Sequence, residues 1–152
     1  MAKNGNNVQA DTYAYVIDET LNATTTETPD VRIDDADFEC RGISTRAQLA
    51  ALHSLGTCII GTPLLRVPGQ TSSSNTFTPS GLVLARLNIN GAWTHSEPVP
   101  IDVLGSYAPG DETFLAQPFV IPARSTVYAE ITNNSGEQVR VFITLHGRKL
   151  FS

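Results

Sequence analysis

At 152 residues the chain has the length of about one domain, and a hydrophobic content of 41% is enough for a core, which excludes disorder of the whole. Charged residues make up only 16%, below the roughly 25% usual in soluble domains, and Thr, Ser, Asn and Gly fill the polar positions, as in β-rich proteins with a neutral polar surface. A net charge of −5, with ten basic residues and no long basic run, leaves no electrostatic footprint for nucleic acid.

The first residues, MAKNGNNVQADTY, lack the apolar centre of a signal peptide, and no later window approaches the roughly 18 apolar residues of a membrane span. A soluble protein made in the cytosol, without a membrane partner, is expected. Residues 1–7 are small and polar. Residues 8–17, VQADTYAYVI, favour a strand, and residues 22–29, NATTTETP, read as an extended linker free of large apolar groups. A strand isolated in this way can serve as an arm that pairs with its own sheet or with a neighbour's edge, with Tyr13, Tyr15, Val16 and Ile17 as the partner-binding residues. An ordinary first strand is the alternative. The expected division is an arm and linker over residues 1–30 and a β-sandwich over residues 31–152.

Residues 31–40 hold Asp34, Asp35, Asp37 and Glu39, which invites a calcium site because hard cations take several carboxylate oxygens. The spacing argues against it: counted from Asp34, Glu39 stands where a calcium loop needs Gly and Thr45 where it needs a bidentate Glu. A solvated turn or edge is expected instead. Cys40 and Cys58 have no CxxC or Cys/His companion, so zinc is not suggested and two buried free thiols are expected, with a disulfide as the alternative.

The helix signal lies over residues 44–56. Thr45 and Gln48 fit a capping box, Leu49, Leu52 and Leu55 recur every third residue, and Gly56 suits a left-handed stop. His53 has no nucleophile or carboxylate at a triad spacing. Residues 57–67 read as a strand broken at Gly61 and Pro63, and residues 68–80 as a long polar loop. Strand character resumes over residues 81–90, with Val83, Ala85, Leu87 and Ile89 on one face, and Asn90-Gly91 predicts a two-residue turn with positive φ at both positions before Trp93, expected as a core or interface anchor. His95 beside it has no partner at catalytic spacing. Residues 99–104 suggest a short strand, residues 109–112 a turn, and residues 113–121 a strand interrupted at Pro118.

The clearest pattern is residues 126–151. Val127, Ala129 and Ile131 share one face of a first run, and Val139, Val141, Ile143 and Leu145 one face of a second, with Asn133 to Gly136 suited to a turn; a β-hairpin is expected. About eight short strands with no alternating helix pattern predict an all-β fold: a jelly-roll-like antiparallel β-sandwich with one short helix, the alternative being a closed antiparallel barrel.

Residues 119–151, FVIPARSTVYAEITNNSGEQVRVFITLHGRKLF, carry a family resemblance: Ile-Pro-Ala leading into a strand, an Asn-rich turn, and a last apolar strand ending in Leu-His-Gly-Arg. This stretch resembles the C-terminal hairpin of small β-sandwich virion proteins of tailed bacteriophages, the head decoration or cement proteins. The resemblance implies a non-enzymatic structural protein on the capsid surface, made in the host cytoplasm, oligomeric, with the major capsid protein or other virion proteins as partners and no cofactor. No single residue's role carries across, because such proteins act through whole surfaces. The alternative is a receptor- or carbohydrate-binding module of a phage tail or fibre, since sandwich loops readily host ligand sites. An enzyme of jelly-roll type is the least supported reading, because His53, His95 and His146 are scattered without the clustered ligands of such metal sites, and no catalytic or metal residue is assigned.

Overall fold

The apolar phase of each long run points the same way, into one core between two sheets. The computed structural model describes residues 9–50, 82–105 and 113–151. Their strands are β1 (Gln9–Leu21), β2 (Thr26–Glu27), β3 (Asp30–Arg32), β4 (Asp37–Leu49), β5 (Val83–Ile89), β6 (Ala92–Trp93), β7 (Val99–Pro100), β8 (Thr113–Ile121), β9 (Thr126–Asn133) and β10 (Val139–Phe151), with a single turn of helix, α1 (Ile101–Leu104). One sheet has the order β1-β10-β4-β8; the other runs β2-β9-β5-β6, with β3 also on β9 and β7 also on β5. All pairings are antiparallel. The first and last strands lie side by side and the chain passes repeatedly from sheet to sheet, so the fold is a jelly-roll-like β-sandwich and not a closed barrel.

The inner faces supply Ile17, Leu21, Phe38, Ile43 and Ile121 from the first sheet and Val83, Leu87, Val127 and Ile131 from the second, with the whole Val139, Val141, Ile143, Leu145 series buried. Each such side chain contributes about 1.5 to 3 kcal/mol on removal from water. The two runs of residues 126–151 therefore bury the faces that their alternation specifies, but they are not a hairpin. β9 belongs to the second sheet and β10 to the first, and residues 134–138 carry the chain across the sandwich. Period-2 alternation specifies a strand's buried face; it does not say whether the next run lies beside it or opposite it, and two short apolar faces are covered more completely when stacked.

Of the places open to the first strand, the structure shows the edge of its own sheet. β1 pairs with β10 from Gln9↔Phe151 to Leu21↔Val139 without a register shift, and it places Tyr15, Ile17 and Leu21 in the core. The linker is accordingly a corner: Thr24 adopts φ 56°, and short strands β2 and β3 return the chain along β9. The division at residue 30 therefore does not separate an arm from a domain among the described residues. The apolar side of β1 needs a second sheet to cover it, which its own chain provides.

The helix expected over residues 44–56 does not start at Thr45, and Ala50 is the first helical residue of that span. Residues 44–49 continue strand β4, with Ile43, Thr45, Ala47 and Leu49 inward, while residues 51–56 with His53, the strand at 57–67 with Cys58, the loop at 68–80, the turn at 109–112 and the N-terminal residues 1–7 lie outside the described residues. Thr45 caps no helix of its own; its buried hydroxyl donates to the carbonyls of Ile101 and Gly105 at 3.1 and 3.4 Å, seating α1 against β4. Small inward residues such as Thr45 and Ala47 weakened the strand signal and let the leucine spacing dominate. The strand expected at 99–104 is two residues of β7 followed by α1. Strand β5 and its turn are as expected, with Asn90 at φ 53° and Gly91 at φ 82°.

Candidate functional site

Strand β4 carries a β-bulge at Arg41. His146 pairs with Gly42 but Gly147 pairs with Cys40, so Arg41 is an extra residue without a partner on β10. The bulge exchanges the faces of β4: Phe38 and Cys40 point inward before it, whereas Ile43, Thr45, Ala47 and Leu49 point inward after it. Opposite the bulge a Cβ on Gly147 would meet the Glu39 carbonyl and the Phe38 ring, so glycine is required there for close approach. The ring of Phe38 stands edge-on to Tyr15, with centroids 4.9 Å apart.

On the outer surface the bulge presents two arginines to one carboxylate. Arg41 Nε donates to Glu39 Oε1 at 2.9 Å and Arg148 Nε donates to Glu39 Oε2 at 2.7 Å. The Glu39 side chain is 14% exposed and those of Arg41 and Arg148 are 47% and 41% exposed, so the acid is anchored while both guanidiniums face solvent. The Arg148 hydrogen bond, aided by Arg41 and opposed by desolvation, holds the Glu39 carboxyl below its usual range. Thr12, Tyr13, Ala14, Arg41, His146, Gly147 and Arg148 line a groove of about 390 Å³ beside them.

The rest of this face continues the pattern. Arg140 binds Asp18 through Nε and Nη2 at 2.9 and 2.7 Å and lies 4.9 Å from the Phe142 ring centre, and Arg46 stands across from Phe142. Ser44 Oγ and His146 Nε2 share a 2.7 Å hydrogen bond, a cross-strand link between residues far apart in sequence. Arg41, Arg46, Arg140 and Arg148 thus face Asp18 and Glu39 on one surface of a protein whose net charge is −5. Val16, 49% exposed, sits on the same face opposite Thr144.

The four residues expected to bind a partner are therefore split. Tyr15 and Ile17 belong to the core, Val16 lies on the outer face, and Tyr13 lies at the rim of the groove under the Lys149 ammonium, 4.0 Å from its ring centre. The acidic span is engaged: Asp34 meets Tyr15 Oη and Lys149 Nζ, Asp37 accepts the Ala123 N–H at 2.8 Å, and Glu39 holds the arginines. Among the described residues no three His, Cys, Asp or Glu side chains are placed to hold a metal ion. Cys40 is a free buried thiol, and burial pushes its pKa up to about 11. Sequence reasoning missed Glu39, Arg41 and Arg148 as a unit; the available signal was the pair Arg41-Gly42 and Gly147-Arg148, glycines inside strands that mark a bulge and a close approach.

The second sheet's outer face differs. Asn88 pairs with Trp93 on one side and with Tyr128 on the other, both rings are exposed, and Arg86 lies 4.1 Å from the Trp93 ring centre while donating to both Glu130 oxygens at 3.2 Å. Trp93 is thus a surface residue braced by Arg86 and not a core anchor. No family model, curated protein or solved structure matches the chain.

Proposed function

We propose that the chain is a non-enzymatic virion structural protein of a tailed phage, which decorates or cements the capsid shell through oligomeric surface contacts. The carrying observation is the outer face of the first sheet, where four arginines, Phe142 and an exposed Val16 stand among Thr and Ser on an otherwise acidic protein. Arginine and aromatic residues with few lysines is the composition of protein–protein interfaces, and an acidic partner surface complements it. Strand β1 borders this face and, among the described residues, pairs on one side only, so it offers an edge to a neighbouring subunit. The major capsid protein of the shell is the partner that this reading requires.

Co-sedimentation tests the reading. The purified protein should pellet with assembled shells and not with free coat subunits, and Arg46→Glu or Val16→Asp should abolish pelleting while leaving the circular dichroism spectrum unchanged. Equal binding by both variants, or none by the parent, rules the reading out.

The receptor- or carbohydrate-binding alternative has its own support in the row Trp93, Asn88, Tyr128. Two exposed rings two strands apart, about 10 Å by normal strand spacing, flank the Asn88 carboxamide, a layout suited to stacking on sugar faces. A saturable change in Trp93 fluorescence on titration with neutral oligosaccharides would favour it.

A further inference from the structure

We infer that the groove at the Arg41 bulge is a binding site for a small organic carboxylate, held between the terminal nitrogens of Arg41 and Arg148. This goes beyond the shell-binding role and is independent of it. Each guanidinium uses only Nε for Glu39, its Nη1 and Nη2 groups make no hydrogen bond among the described residues, and both side chains, 47% and 41% exposed, line the groove. Arginine presents its donors as a rigid fork that matches a carboxylate in two-point fashion. Glu39 acts as the positioning residue: bonding both arginines through opposite oxygens, it holds two like charges side by side that would otherwise separate.

Charge decides the ligand class. Two arginines less one glutamate leave one net positive charge, which matches a carboxylate; a phosphate monoester carries about −1.5 to −2 near neutral pH, and the protein's own −5 opposes such an excess. The volume of about 390 Å³ lies within the roughly 300 to 1,000 Å³ of small-molecule sites, and Thr12, which pairs with Arg148 across the ladder, lines it beside the arginines. The bulge is the device that makes the site: without the extra residue, Arg41 would sit in the ladder instead of beside Arg148.

The full-length protein is titrated with D-glucuronate, D-glucose and inorganic phosphate at neutral pH, with backbone amide shifts read by NMR. Glucuronate should saturate, with the largest shifts at Arg41, Gly147 and Arg148; glucose should give none, and phosphate should bind at least tenfold more weakly. Arg148→Gln and Arg41→Gln should each weaken glucuronate at least tenfold with the rest of the spectrum retained. Glu39→Gln separates positioning from net charge: it makes the site more positive yet should weaken binding several-fold. Tighter binding by Glu39→Gln, phosphate equal to glucuronate, or no saturation by the parent protein would each overturn the assignment.

Discussion

The carboxamide oxygen of Asn133 accepts the Ser135 backbone N–H at 3.0 Å and the Ser135 hydroxyl at 2.6 Å, with both residues buried at the corner where the chain leaves one sheet for the other. The Asn133 amide nitrogen donates to the carbonyls of Glu137 and Asn22 at 2.7 and 3.0 Å, so one side chain joins two crossing corners. Asn133→Ala removes all four bonds and leaves the buried Ser135 N–H without its acceptor, while the Ser135 hydroxyl still reaches the Glu137 carbonyl at 3.1 Å and the Asn22 carbonyl still accepts from Thr25. It should cost about 1 to 3 kcal/mol, the penalty for one such group. The midpoint of a urea transition measures it, and a loss below 0.5 kcal/mol, the scatter of an ordinary surface substitution, would mean the corner holds without this network.

Core truncations test the stacked arrangement of β9 and β10. Val141→Ala and Ile143→Ala, both fully buried in the parent, should lower stability by about 1 to 4 kcal/mol through lost burial and the cavity left behind. Chemical denaturation of the two variants is the check, and values near zero would place these side chains outside the core.

Glycine 147 and glycine 136 make a matched pair. Gly147→Ala pushes a methyl group into the Glu39 carbonyl and the Phe38 ring and should cost about 1 to 3 kcal/mol by overpacking, whereas nothing lies within 4 Å of the corresponding position on Gly136. Equal melting temperatures for Gly147→Ala and Gly136→Ala would contradict the close approach at the bulge.

Acid should weaken the fold through Glu39. Its pKa is lower folded than unfolded, so its contribution is present above the ordinary value of 4.5 and is lost as pH falls from there through the depressed folded value. A pH series of thermal melts should show Glu39→Gln with a shallower decline below 4.5 than the parent. Parallel curves would show that the arginine contacts do not stabilise the ionised form.

Deletion of residues 1–21 should prevent formation of the native fold. The truncated chain loses Tyr15, Ile17 and Leu21 from the core and leaves all thirteen residues of β10 without their partner on that side. Size-exclusion chromatography and circular dichroism should find aggregated or unfolded material; folded protein with the parent's melting temperature would return β1 to the status of a detachable arm.

The sequence by itself determined which faces are buried. The alternation of Val127, Ala129 and Ile131, of Val139, Val141, Ile143 and Leu145, and of Val83, Ala85 and Leu87 was legible because strand side chains point to opposite sides with a period of two, whatever the strand's neighbours are. The Asn90-Gly91 turn was equally local, since positive φ is a property of those two residues. Only the tertiary structure decided what each face meets. That β9 and β10 stack across the core instead of pairing, that β1 is held by β10, and that residues 44–49 extend β4 all depend on contacts distant in sequence, where no local propensity discriminates. The groove was hidden for the same reason. Glu39, Arg41 and Arg148 meet only because one extra residue in β4 shifts its register against β10.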